Sequence, residues 1–74
     1  MTKQFFLELL MQANHQFIIQ VNHINFFLNL KKTHFINEIG LVAVNTKSNQ
    51  PSIVLLDTIN SITIDNQTFF IKSN

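Results

Sequence analysis

The stretch FIIQVNHINFFLNL, Phe17 to Leu30, decides how the chain is read. As a helix it would scatter Asn25 and Asn29 among apolar residues and would lack a capping residue. As extended chain it resolves into two alternating runs. Phe17, Ile19 and Val21 share one side, with Gln16, Ile18, Gln20 and Asn22 on the other. Asn22-His23 reads as a tight turn. After it, Ile24, Phe26, Leu28 and Leu30 share a face, and Asn25, Phe27, Asn29 and Lys31 share the opposite one. A side-chain period of two on both sides of a turn predicts a β-hairpin. Lys31-Lys32-Thr33-His34 is then its solvated exit.

Upstream, the period is helical. From Lys3 to about Ala13 there is no glycine, proline or β-branched residue, and Thr2 can serve as N-cap. Gln4, Glu8 and Gln12 form one polar stripe, Phe6, Leu9, Leu10 and Ala13 a core face, and Leu7 and Met11 a flank. So narrow a wet stripe calls for cover on more than one side, from the domain itself or from another chain.

Downstream, a third strand is expected from about Phe35 to Val44, with Gly40 marking a bulge or sharp bend. NTKSNQPS, Asn45 to Ser52, reads as a loop closed by Pro51. Ile53 to Leu56 is a short, fully apolar strand, and Asp57-Thr58 a brief turn. Ile62 to Ile64 is a strand, Asp65 to Thr68 a hairpin turn, and Phe69 to Lys72 the last strand. The sum is a single domain over residues 1–74, with a helix in 1–14 and β structure in 15–74. It predicts a mainly β, α+β fold: an N-terminal helix, then a five- or six-stranded antiparallel sheet, strongly bent or closed as a small barrel. An open sheet with the helix across one face is the alternative.

Composition narrows function more than it defines it. A chain of 74 residues has a marginal core. Cysteine is absent, which removes disulfides, thiolate metal sites and a cysteine nucleophile. Charged residues make up 12%, the formal charge is +1, and all five basic residues are lysine, while 46% of the chain is hydrophobic. A weakly charged surface on so apolar a chain favours association. The base composition of an AT-rich genome is the competing explanation. Gln20, Asn22, His23, Asn25 and Asn29 interrupt the most apolar stretch, so neither a membrane span nor a membrane partner is expected. Glu8 breaks the apolar segment near the N-terminus and no A-x-A site follows, so a cytoplasmic location is expected.

The helix with FLELL (Phe6 to Leu10), then FIIQVN (Phe17 to Asn22) and TINSIT (Thr58 to Thr63), resembles in order and apolar spacing the Sm-like fold, in particular the bacterial Hfq family of RNA chaperones. The resemblance covers roughly residues 5–64 and implies an N-terminal helix, five bent strands, an SH3-like barrel and assembly into rings. Where that family carries a Tyr-Lys-His triplet, this chain has Leu55, Leu56 and Asp57, and His23 stands in place of a glycine. The family's RNA site is therefore not carried over.

Three sets of residues are candidates for a site. Ile18, Phe27 and Phe70 are large apolar side chains on otherwise polar strand faces, and with Leu7 and Met11 they would make an interface. Lys31, Lys32, His34 and Lys47, near Phe27 or Phe35, could hold phosphates beside stacking rings. The near-zero net charge and the lack of arginine favour a solvated turn instead. His15, His23 and His34 could bind a metal, but their spacing matches no ligand motif and no acidic cluster supports them. The acids Glu8, Glu38, Asp57 and Asp65 are well separated, and the one glycine precludes a phosphate-binding loop. No catalytic residue, metal or cofactor is expected. The reading is a non-enzymatic binding protein that forms homo-oligomers and acts through protein contacts, in the manner of a phage-encoded or accessory inhibitor. The alternative is an Sm-like oligomer binding RNA through the lysine-bearing turn.

Overall fold

Residues 1–45 and 47–71 are described by a computed structural model. Helix α1, Lys3–Gln12, begins where Thr2 Oγ1 accepts the Phe5 N–H at 3.2 Å, and ends at extended Ala13. It buries Phe6 and Leu10. Strand β1, Phe17–Val21, then pairs antiparallel with β2, Ile24–Phe27, with Ile18 opposite Phe27 and Val21 opposite Ile24. Asn22 and His23 sit at φ 50° and 67°, as a two-residue hairpin turn of this hand demands.

The same device recurs later. Asp65 and Asn66, at φ 46° and 79°, join β6, Ser61–Ile64, to β7, Gln67–Phe70. Asn and Asp tolerate this region better than most residues because their short polar side chains bond locally. β6 also pairs with β1, which completes a four-stranded antiparallel sheet in the order β2-β1-β6-β7.

From β2 the chain passes through one 3-10 turn, Leu30–Lys32, where Asn29 Oδ1 accepts the Lys32 N–H at 2.8 Å. It then enters a second antiparallel sheet of β3, Thr33–Phe35, β4, Gly40–Val44, and β5, Pro51–Leu55, in that order. The ribbon thus leaves the edge of one sheet to become the edge of the next. A further 3-10 turn, Leu56–Thr58, leads back to β6. The class is α+β and mainly β, as expected, and the two sheets do not close into a barrel.

The seven strands exceed the expected five or six because the segment read as one strand from Phe35 to Val44 is a hairpin. Asn37 Oδ1 accepts the N–H groups of Ile39 at 2.9 Å and Gly40 at 3.0 Å, which turns the chain between β3 and β4. Space at Gly40 is tight: a Cβ there would lie 3.3 Å from Leu55 Cδ2, which would have to shift slightly, and in ordinary contact, 3.6 Å, with the Val54 carbonyl oxygen. Pro51 opens β5 rather than closing a loop, which suits a residue without an N–H at the start of an edge strand. Lys72, expected at the end of the last strand, lies outside the described residues.

One core joins all three layers. Phe6 and Leu10 of α1 meet Phe17 and Ile19 of β1, Ile62 of β6, Leu41 and Ala43 of β4, and Val54 of β5. Phe6 is fully buried, and its ring meets Phe17 edge-on at 5.4 Å and Phe35 at 6.1 Å, one residue from each sheet. Among the described residues no helix is long and apolar enough to cross a membrane.

Candidate interaction surface

Directly opposed residues of an antiparallel pair share a face. In the three-stranded sheet, Thr33, Ala43 and Ser52 form one inward row, and Phe35, Leu41 and Val54 another. The outward rows are His34-Val42-Ile53, Gly40-Leu55 and Val44-Pro51. His34 is the one polar side chain among them. Ile53 is 72% exposed and Leu55 48%, on a strand that, among the described residues, has a neighbour on one side only. Ile36 and Ile39, in the turn between β3 and β4, are also more than half exposed. An apolar face of this kind, uncovered by its own chain, is the usual mark of a contact site.

The residues singled out from the sequence fall in three places. Ile18 and Phe27 form a half-buried cross-strand pair on the outer face of the four-stranded sheet. Lys47 Nζ stands 4.6 Å from the centre of the Phe27 ring, so a cation covers much of what the sequence leaves open. Phe70 is on the same face, opposite Ser61, and is 83% exposed. Leu7 and Met11 line a shallow depression on α1 with Lys3, Glu8 and Glu38. Because α1 packs against the inward residue Phe17, the four-stranded sheet lies between the helix pair and Ile18-Phe27. These five residues therefore belong to separate surfaces.

Lys31 and Lys32 are exposed on the turn between the sheets, and His34 projects from the outer face of β3. Lys47 sits over the Phe27 ring on the four-stranded sheet. His15, His23 and His34 sit on three separate segments, and among the described residues no three His, Asp or Glu side chains come together.

Asp65 is the one acid with a built environment. Its Oδ2 accepts the Asn14 N–H, and its Oδ1 those of His15 and Gln16, each at 2.8 Å. The hydrogen bond from Asn14, then those from Gln16 and His15, lower its pKa, against a smaller opposing effect of desolvation. The carboxylate thereby ties the β6-β7 turn to the segment between α1 and β1. That is a structural anchor. Beside it a cleft of about 200 Å³ is lined by residues that include Leu10, His15, Phe17, Leu28 and Leu30. The acid nearest the His15 ring is Asp65, whose Oδ1 lies 4.0 Å from His15 Nδ1 and already accepts two backbone N–H groups.

The apolar outer face of β4 and β5 is what sequence reasoning missed. Gly40–Val44 and Ile53–Leu55 are apolar at both parities, and such runs suggest a strand buried on both sides. Here only one side is covered, so the second parity is left at the surface.

Compared with family models, curated proteins and solved structures, the chain matches none.

Proposed function

We propose that the protein is a binding module that self-associates and acts through protein contacts rather than through catalysis. The observation that carries this is the outer face of the three-stranded sheet, where Pro51, Ile53 and Leu55 of β5 are exposed beside the half-buried Val42 and Val44 of β4. Burying half of a side chain such as Ile53 or Leu55 against a second chain contributes on the order of 1 kcal/mol. The weak overall charge does little to oppose such contact. Light scattering across a dilution series tests the reading. Concentration-dependent association that Ile53→Lys weakens supports it, and a monomer at all concentrations refutes it.

A second reading is an Sm-like oligomer that binds RNA through Lys31 and Lys32. Its support is the element order and the placing of both lysines, exposed, on the turn where the ribbon passes between sheets. Among the described residues neither lysine has an acidic partner. Binding to single-stranded RNA that weakens as salt rises, with a slope flattened by Lys31→Ala and Lys32→Ala together, supports it. No binding at low salt refutes it.

A further inference from the structure

We infer that the open edge of β5 pairs antiparallel with β5 of a second copy about a two-fold axis at Ile53, joining the two three-stranded sheets into one continuous sheet. The inference rests on the self-association reading and adds its geometry.

The ladder between β4 and β5 shows which backbone groups are free. The Asn45 N–H bonds the Gln50 carbonyl at 3.1 Å beyond one end, and the Leu56 N–H bonds the Ile39 carbonyl at 2.9 Å beyond the other. Hydrogen-bonded pairs alternate along an antiparallel ladder. The register therefore aims the N–H and C=O groups of Ser52 and Val54 at β4, and those of Ile53 and Leu55, with the Pro51 carbonyl, at the open edge. Among the described residues no strand pairs with that edge.

The free groups are self-complementary. With Ile53 opposite its copy, each Ile53 N–H faces the other Ile53 carbonyl, which gives a reciprocal pair at the axis. On either side Leu55 faces Pro51 of the other copy. There the Leu55 N–H meets the Pro51 carbonyl. The reverse bond would need an N–H from Pro51, which has none, and the Leu55 carbonyl, which already accepts from Thr58 Oγ1 at 2.6 Å. Both absences fall on the same bond, so no donor or acceptor is stranded.

The other edges are less suited. β3 has three residues, and β2 and β7 have four, against five in β5. Lys32 immediately precedes β3, and Lys47 covers Phe27 at the end of β2. β5 carries no charge, and Gln50 and Leu56 flank it, so it lacks the charged side chains that commonly block edge pairing. In the pair, the outward rows His34-Val42-Ile53 of the two copies meet end to end.

A chain without cysteine allows a direct test. Facing residues of a hydrogen-bonded antiparallel pair lie about 5.5 Å apart between Cα atoms, within disulfide reach. Under mild oxidant, Ile53→Cys should form a covalent dimer roughly tenfold or more faster than Phe70→Cys or Phe27→Cys. In the unmodified chain, amide exchange at Ile53 and Leu55 should slow as concentration rises, while exchange at Thr68 does not. Association by light scattering without either signal at β5, or with the protection on β7 instead, overturns the β5 geometry and leaves self-association standing. A monomer throughout overturns both.

Discussion

Asp65 holds the backbone of three consecutive residues through both carboxylate oxygens. An amide in its place would turn an NH2 group toward one of those N–H donors. Asp65→Asn should lower the midpoint of thermal unfolding by several degrees at neutral pH, read by circular dichroism. The sign of the pH dependence follows from the lowered pKa. The unfolded chain binds the proton more readily, near the ordinary value of 3.8, so the stabilisation is complete above that value. It is lost as the pH falls through 3.8 toward the lower folded value, and the variant should show a shallower loss across that window. His23 bears a different strain. It occupies the left-handed region at φ 67°, where a side chain costs roughly 1–2 kcal/mol that glycine avoids. His23→Gly should keep or raise stability in urea unfolding. At this scale the Asn22-His23 turn was legible between alternating runs, and the later turn was placed but drawn too long, over Asp65 to Thr68, because polar Gln67 and Thr68 open β7. The Asn37 turn was not legible, because Ile36 and Ile39 flank it and Gly40 looked like the only break.

Among the elements, α1 couples the two sheets through one ring. Phe6→Ala empties a fully buried site between Phe17 and Phe35. The expected loss is about 3–5 kcal/mol, a large part of the roughly 4–11 kcal/mol typical for a chain of this length. Urea unfolding should show the variant near or past its transition in water. Ile53 behaves oppositely. Its side chain is 72% exposed, so Ile53→Lys should change the stability of the single chain by no more than about 0.5 kcal/mol. A larger loss, measured at a dilution where the unmodified chain is dissociated, would mean that Ile53 supports its own fold. The hairpin of β1 and β2 was readable from its alternation, and α1 from its stripe of Gln4, Glu8 and Gln12. The face of β4 and β5 was not readable, since apolar residues at both parities do not tell which parity is covered. That depends on which layers exist, a property of the assembled sheets.

Taken whole, the chain buries one side of each sheet around Phe6, Ile19, Leu41, Leu56, Ile59 and Ile62. Among the described residues no second layer lies over the outer face of the three-stranded sheet. The sequence pointed to Leu7, Met11, Ile18, Phe27 and Phe70 as the interface, whereas the outer face of the three-stranded sheet exposes Ile53 and Leu55. Lys47 covers Phe27 of that expected set, and the four-stranded sheet divides the rest. Self-association is the claim on which the functional account stands, and sedimentation equilibrium of the unmodified chain tests it most directly. Over roughly 1–100 µM, the range in which contacts of this strength would act, the average mass should climb from the 8.6 kDa of one chain toward twice that value. A mass that stays at 8.6 kDa through the whole range would contradict it.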